Sequence, residues 1–132
     1  MYNTRILIIE DEAVIAMNLQ DRFEFWGYST PMIVSSQEEA LKMANEEKPD
    51  LVLINIDLKN DNSIELAKKI TDNLDTALIF ITSSLNEEIM QLMRVTRYYG
   101  HIALPFEENQ IKYTVENALY RRRINQRFIL SK

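Results

Sequence analysis

Three acidic side chains, Glu10, Asp11 and Glu12, follow the apolar run Ile6 to Ile9 without a spacer. A buried strand ending there crowds at least two carboxylates at its tip, where they repel and raise each other's pKa unless a cation lies between them. A hard divalent ion such as Mg2+, which prefers oxygen ligands and keeps several waters, suits such a pair. Few other residues could carry chemistry. There is no cysteine, so disulfides, thiolate catalysis and cysteine-ligated zinc are excluded. His101 is the only histidine, so one chain cannot build a multi-histidine metal site. A Ser-His-Asp site would have to use His101, and nothing else in the chain supports one, so packing in a strand is its expected role. With only Gly27 and Gly100, neither G-x-G-x-x-G nor a glycine-rich phosphate loop can be written.

The elements that must position these residues come from one domain. At 132 residues, with 46% hydrophobic and 27% charged residues, the chain has the size and balance of a single globular unit. Its net charge of -5 argues against a general nucleic-acid binder. Arg121, Arg122, Arg123 and Arg127 read as a solvated helix end rather than as a nucleic-acid patch. No apolar run approaches the roughly 20 residues of a membrane helix, and the acids near the start do not suit a signal peptide. The expected location is cytoplasmic.

Apolar periodicity switches repeatedly between strand and helix type. Arg5 to Ile9, Met32 to Val34, Leu51 to Ile54, Ala77 to Ile81 and His101 to Ala103 read as strands. Between them run helical stripes: Ile15, Leu19, Phe23 and Trp26, stopping at Gly27; Ala40, Leu41 and Ala44; Ile64, Ala67, Ile70 and Leu74; Ile89, Leu92, Met93 and Thr96. A last stripe carries Ile111, Val115, Ala118 and Leu119. Capping-box spacing occurs at Ser36 and Glu39 and again at Ser84 and Glu87. Acids at the start of the last helix and Arg121 to Arg123 near its expected end suit the helix dipole. The alternation predicts a doubly wound α/β domain, a five-stranded parallel sheet with helices on both faces. Order 2-1-3-4-5 follows from placing the least regular strands at the edges: Pro31 adjoins the second, and the fifth is short. The carboxyl ends of the central strands then present Glu10, Asp11, Asn55, Thr82 and Leu104. Residues 1–122 form the domain. Residues 123–132, in which Ile124 and Phe128 continue a spacing begun at Tyr120, form an extension of the last helix or a connector, with a frayed terminus as the alternative.

In the segments ILIIEDE (Ile6 to Glu12), PDLVLINIDL (Pro49 to Leu58), IFITSS (Ile79 to Ser84) and GHIALPFEE (Gly100 to Glu108), the sequence resembles the receiver domains of two-component response regulators. The resemblance runs from about Thr4 to Leu119. It implies a flavodoxin-like receiver fold and an acidic pair at Glu10 and Asp11, with Asp11 ligating Mg2+ directly. It further implies a phosphoryl-binding hydroxyl at Thr82, a switch position at His101 and a cis bond before Pro105. The implied partners are a histidine kinase or an output domain, met through helix four, strand five and helix five, with a homodimer as a further arrangement. No enzymatic activity is implied.

The sequence departs from the family at its centre. Where receivers carry the phosphoaccepting aspartate, this chain has Asn55, whose neutral amide is a very poor nucleophile. Where they carry a lysine before the proline, it has Leu104, which offers neither charge nor donor to a transferring phosphoryl group. The loop usually written P-G-M-D-G is Lys59, Asn60, Asp61, Asn62, Ser63. Three departures at one site exceed what a single silencing substitution would leave, and point to a natural degenerate receiver. Asp57, two residues past Asn55, is read as a supplementary metal contact, with a displaced phosphoacceptor as the alternative. Mg2+ binding by Glu10, Asp11, Asn55 and Asp57 is expected to be weak or absent.

Overall fold

The computed structural model describes residues 3–130, with side chains through residue 127. Three buried apolar runs and two short edges make the sheet: β1 (Ile6–Ile9), β2 (Met32–Val34), β3 (Leu51–Asn55), β4 (Ala77–Thr82) and β5 (Gly100–Ala103), with β2 and β5 at the edges. They pair in parallel in the order β2-β1-β3-β4-β5. Ile9 lies in register with both Val34 and Ile54, and Asn55 with Ile81, so the carboxyl ends of the central strands finish nearly level. Both faces of β1, β3 and β4 are buried, which is why these runs lack polar alternation.

Five helices cover the sheet: α1 (Ala13–Phe25), α2 (Gln37–Glu47), α3 (Ser63–Asn73), α4 (Glu87–Met93) and α5 (Glu108–Leu130). Because strand side chains alternate, the core divides into two layers. Ile6, Ile8, Leu53, Ile79 and Ile81 pack with Leu19 and Phe23 of α1 and with Ile111 and Val115 of α5. Leu7, Ile9, Val52, Ile54 and Phe80 pack with Ala40 and Ala44 of α2 and with Leu66 and Ile70 of α3. Gly27 ends α1 with φ near +90°, a left-handed conformation that side chains disfavour. A Cβ on Gly100 would lie 2.8 Å from Thr114 Cγ2, so only hydrogen lets β5 and α5 approach this closely. The Leu104–Pro105 bond is cis, as the resemblance implied.

Ser36 accepts from the Glu39 N–H at 3.3 Å, as its spacing predicted. Glu39 answers through the Ser35 N–H and the Ser35 and Ser36 hydroxyls. The expected cap at Ser84 does not form. Asn86 caps α4 instead, accepting from the Ile89 N–H at 2.9 Å, while the Ser84 N–H donates to Thr82 Oγ1. The α4 stripe is also shorter than predicted: Met93 is buried, Leu92 is exposed, and Thr96 lies past the helix end.

Arg121 to Arg123 do not end α5, which runs on to Leu130, so they sit mid-helix and the dipole argument fails for them. Nor is this stretch a purely solvated face. Arg122 is largely buried and donates to Asp50 Oδ1 at 3.0 Å and to the Asp75 carbonyl, and Gln126 donates to Asp75 Oδ2. Arg121 donates to the Tyr99 carbonyl. Tyr120 and Ile124 are exposed; the side chain of Phe128 lies outside the described residues.

Candidate functional site

At the carboxyl end of β1 the chain turns into α1 through Glu10, Asp11 and Glu12. The Glu10 N–H donates to the Val34 carbonyl and draws that residue into the sheet edge, leaving it 2% exposed. Burial pushes the Glu10 carboxyl above its ordinary range; the Asn55 amide and the Glu12 N–H pull it back, and neighbouring Asp11 adds to the rise.

Asn55 closes β3 and is itself buried. Its Nδ2 donates to Glu10 Oε1 at 2.7 Å, and its Oδ1 accepts from the Asp57 N–H at 2.7 Å. A donor requirement on one side and an acceptor requirement on the other fix the orientation of the amide. The second Glu10 oxygen accepts from the Glu12 N–H at 3.1 Å. Ser63, the first residue of α3, donates its hydroxyl to the Asn55 carbonyl at 2.7 Å, tying that helix to the strand end.

The remaining predicted residues surround this buried pair. Asp11 Oδ2 accepts from the Lys59 N–H at 2.8 Å, joining the β1–α1 and β3–α3 loops. Thr82, buried at the end of β4, accepts at Oγ1 from the Ser84 N–H at 3.1 Å. Exposed Asp57 turns toward the β4–α4 loop, where its Oδ2 accepts from the Ser83 hydroxyl at 3.1 Å and less closely from the Ser83 N–H at 3.4 Å. Leu104 packs against the α1–α5 core layer and brings no charge to the pocket. His101 is half-buried on β5, in register with Phe80. Glu10, Asp11, Asn55, Asp57 and Thr82 therefore gather at one end of the sheet. Ser83 was not singled out by the sequence, because a serine in a loop carries no spacing signal.

The donor set can be tested against the divalent cation that the resemblance implies. Asn55 presents N–H hydrogens, not an oxygen, to Glu10, and the Glu10, Asp11 and Asp57 carboxylates all accept from protein donors. Among the described residues, no group of three or more acidic, histidine or cysteine side chains is gathered to hold a metal. Glu10, Asp11 and Asp57 keep their carboxylates but are not gathered into one donor set, and the neutral Asn55 adds no charge to them. An open groove of about 640 Å³ lies elsewhere, lined by Trp26, Tyr28, Tyr113 and Tyr120, and includes none of the pocket residues.

Similar proteins agree with this architecture. The transcriptional regulatory protein PdtaR of Mycobacterium tuberculosis is 26% identical over 117 residues, spanning 89% of this chain and 57% of that protein. The chain thus spans about half the length of several curated relatives it matches. Sporulation initiation phosphotransferase F of Bacillus subtilis is 28% identical over 120 residues, covering 90% of this chain and 96% of that one. The crystal structure of the signal receiver domain of a modulated diguanylate cyclase from Desulfovibrio desulfuricans G20 superposes with a TM-score of 0.83 at 27% identity, covering 91% of this chain and 96% of that one. Residues 6–116 match the response regulator receiver domain, and with the 2-1-3-4-5 sheet and the acidic pocket at its carboxyl edge, the chain belongs to that family of two-component signalling domains.

Proposed function

We propose that this receiver domain is not phosphorylated at residue 55 and works through protein contacts. The observation that carries the proposal is the Asn55 amide, neutral and hydrogen-bonded on both sides, at the place where the family's acceptor carboxylate stands. A carboxamide oxygen cannot attack a phosphohistidine as a carboxylate does. Leu104 removes the cation that would stabilise charge on the transferring oxygens. Divalent-cation binding by Glu10, Asp11, Asn55 and Asp57 is weak or absent, and Thr82 and His101 keep their places without a phosphoryl group to follow. With no covalent signal, partners set the conformational equilibrium of the domain. The contact face is α4, β5 and α5, where Leu92 and Val95 are exposed, and the partner is a kinase or an output module, with the cytoplasm as the setting. Residues 123–132 serve as an extension of the last helix or as a connector.

The test is acyl-phosphate formation from a small phosphodonor in Mg2+, read by intact mass. The parent and Asn55→Asp should gain little phosphate. The Asn55→Asp, Leu104→Lys double variant should gain far more than the single changes together, as residues acting as a unit do. If the parent were phosphorylated as readily as the double variant, the proposal would fail and Asp57 would become the acceptor.

A further inference from the structure

We propose that Asn55 and Asp57 form a built-in latch, in which the Asn55 amide satisfies buried Glu10 as a cation would and the Asp57 carboxylate holds Ser83 as a bound anion would. The β3–α3 and β4–α4 loops are thereby fixed to each other without metal or phosphate. The inference rests on the reading of an unphosphorylated domain and goes on to say what replaces the chemical signal.

A buried carboxylate needs either a counter-charge or hydrogen-bond donors. Glu10 obtains donors from Asn55 Nδ2 at 2.7 Å and from the Glu12 N–H at 3.1 Å. The same Asn55 amide then accepts from the Asp57 N–H at 2.7 Å, which sets the backbone from which the Asp57 side chain departs. That side chain reaches 26 residues along the chain to the Ser83 hydroxyl at 3.1 Å. Ser83 immediately follows Thr82, whose carbonyl accepts from the Leu104 N–H at 2.9 Å and whose hydroxyl oxygen accepts from the Ser84 N–H. A continuous hydrogen-bonded path therefore runs from the end of β1, through the end of β3, to the loop that leads into α4.

Apart from the Asn86 cap and Ile89, which packs against the α2–α3 core layer, little else holds that helix. It has seven residues, with Met93 its only buried one, and the bonds just past its end are long: Arg94 N–H to Gln91 at 3.3 Å and Val95 N–H to Leu92 at 3.4 Å. Short helices with few buried contacts open at low free-energy cost. The Asp57–Ser83 contact lies in the loop four residues ahead of α4 and joins the Asn86 cap in fixing how the chain enters that helix.

Hydrogen exchange of the full chain tests the latch. Asp57→Ala and Ser83→Ala should each speed exchange of amides 84–95 by about tenfold, leave β1 and β3 amides protected, and combine in the double variant to no more than one alone. Added Mg2+ should leave parent exchange unchanged. Unaltered exchange in both single variants, additive effects in the double, or protection of residues 84–95 by Mg2+ in the parent would overturn the proposal. Should Asp57→Ala lose protection throughout, Ser83→Ala decides alone. A phosphorylated parent would sink the proposed function by mass, whatever the exchange result, so the two failures are distinguishable.

Discussion

A carboxamide at position 55 gives Glu10 a partner that a carboxylate cannot be. Asn55→Asp places a second acceptor at a 2.7 Å contact with a side chain that is 2% exposed. Two carboxylates there repel, and one buried acceptor loses its donor. The variant should lose about 1–3 kcal/mol in urea unfolding at neutral pH. Millimolar Mg2+ should recover part of that loss in the variant and add nothing to the parent. Equal stability of variant and parent without Mg2+ would contradict this account of Glu10. The members of the pocket were legible in the sequence, since Glu10, Asn55 and Thr82 each end an apolar run. Their bonds were not. Whether Asp57 turns toward Glu10 or toward Ser83 depends on a side-chain rotamer past the end of a strand, which no periodicity records.

Among the elements, α5 departs most from what apolar spacing could foresee. Its inward stripe is apolar through Leu119 and then becomes polar at Arg122 and Gln126, which face Asp50 and Asp75 just before β3 and β4. A search for hydrophobic residues stops where the apolar packing stops, although the helix stays fastened for two further turns. Arg122→Ala should cost about 1.5–3 kcal/mol, the range for hydrogen bonds to charged groups, with thermal unfolding as the readout. It should also raise exchange in the α5 segment beyond residue 119 more than in α1. The α4 cap illustrates a different limit. Ser84 and Glu87 have the right spacing, but Thr82 engages the Ser84 N–H, leaving Asn86 to cap the helix. Two candidates two residues apart cannot be separated by composition.

For the whole molecule, strand and helix runs of the correct order made the fold readable, because continuous apolar runs specify a sheet covered on both sides. The two core layers make a further expectation measurable. Ile54 and Ile9 share one layer and are partners in register, whereas Ile79 lies in the other. Ile54→Val and Ile79→Val should each cost about 0.5–1.5 kcal/mol and add to within about 0.5 kcal/mol in the double variant. Ile54→Val with Ile9→Val should depart from additivity by more than that in urea midpoints. The sheet also has a mechanical side. β3 begins just after Asp50, which grips Arg122 of α5, and ends at Asn55, which grips Glu10; about 16 Å of fully buried backbone separates these polar ends. Such a strand is bonded along both edges, so a displacement of the pocket is expected to reach the last helix as a shift of the whole strand rather than as local unfolding. Conservative changes midway along it should weaken the domain without altering what one end conveys to the other.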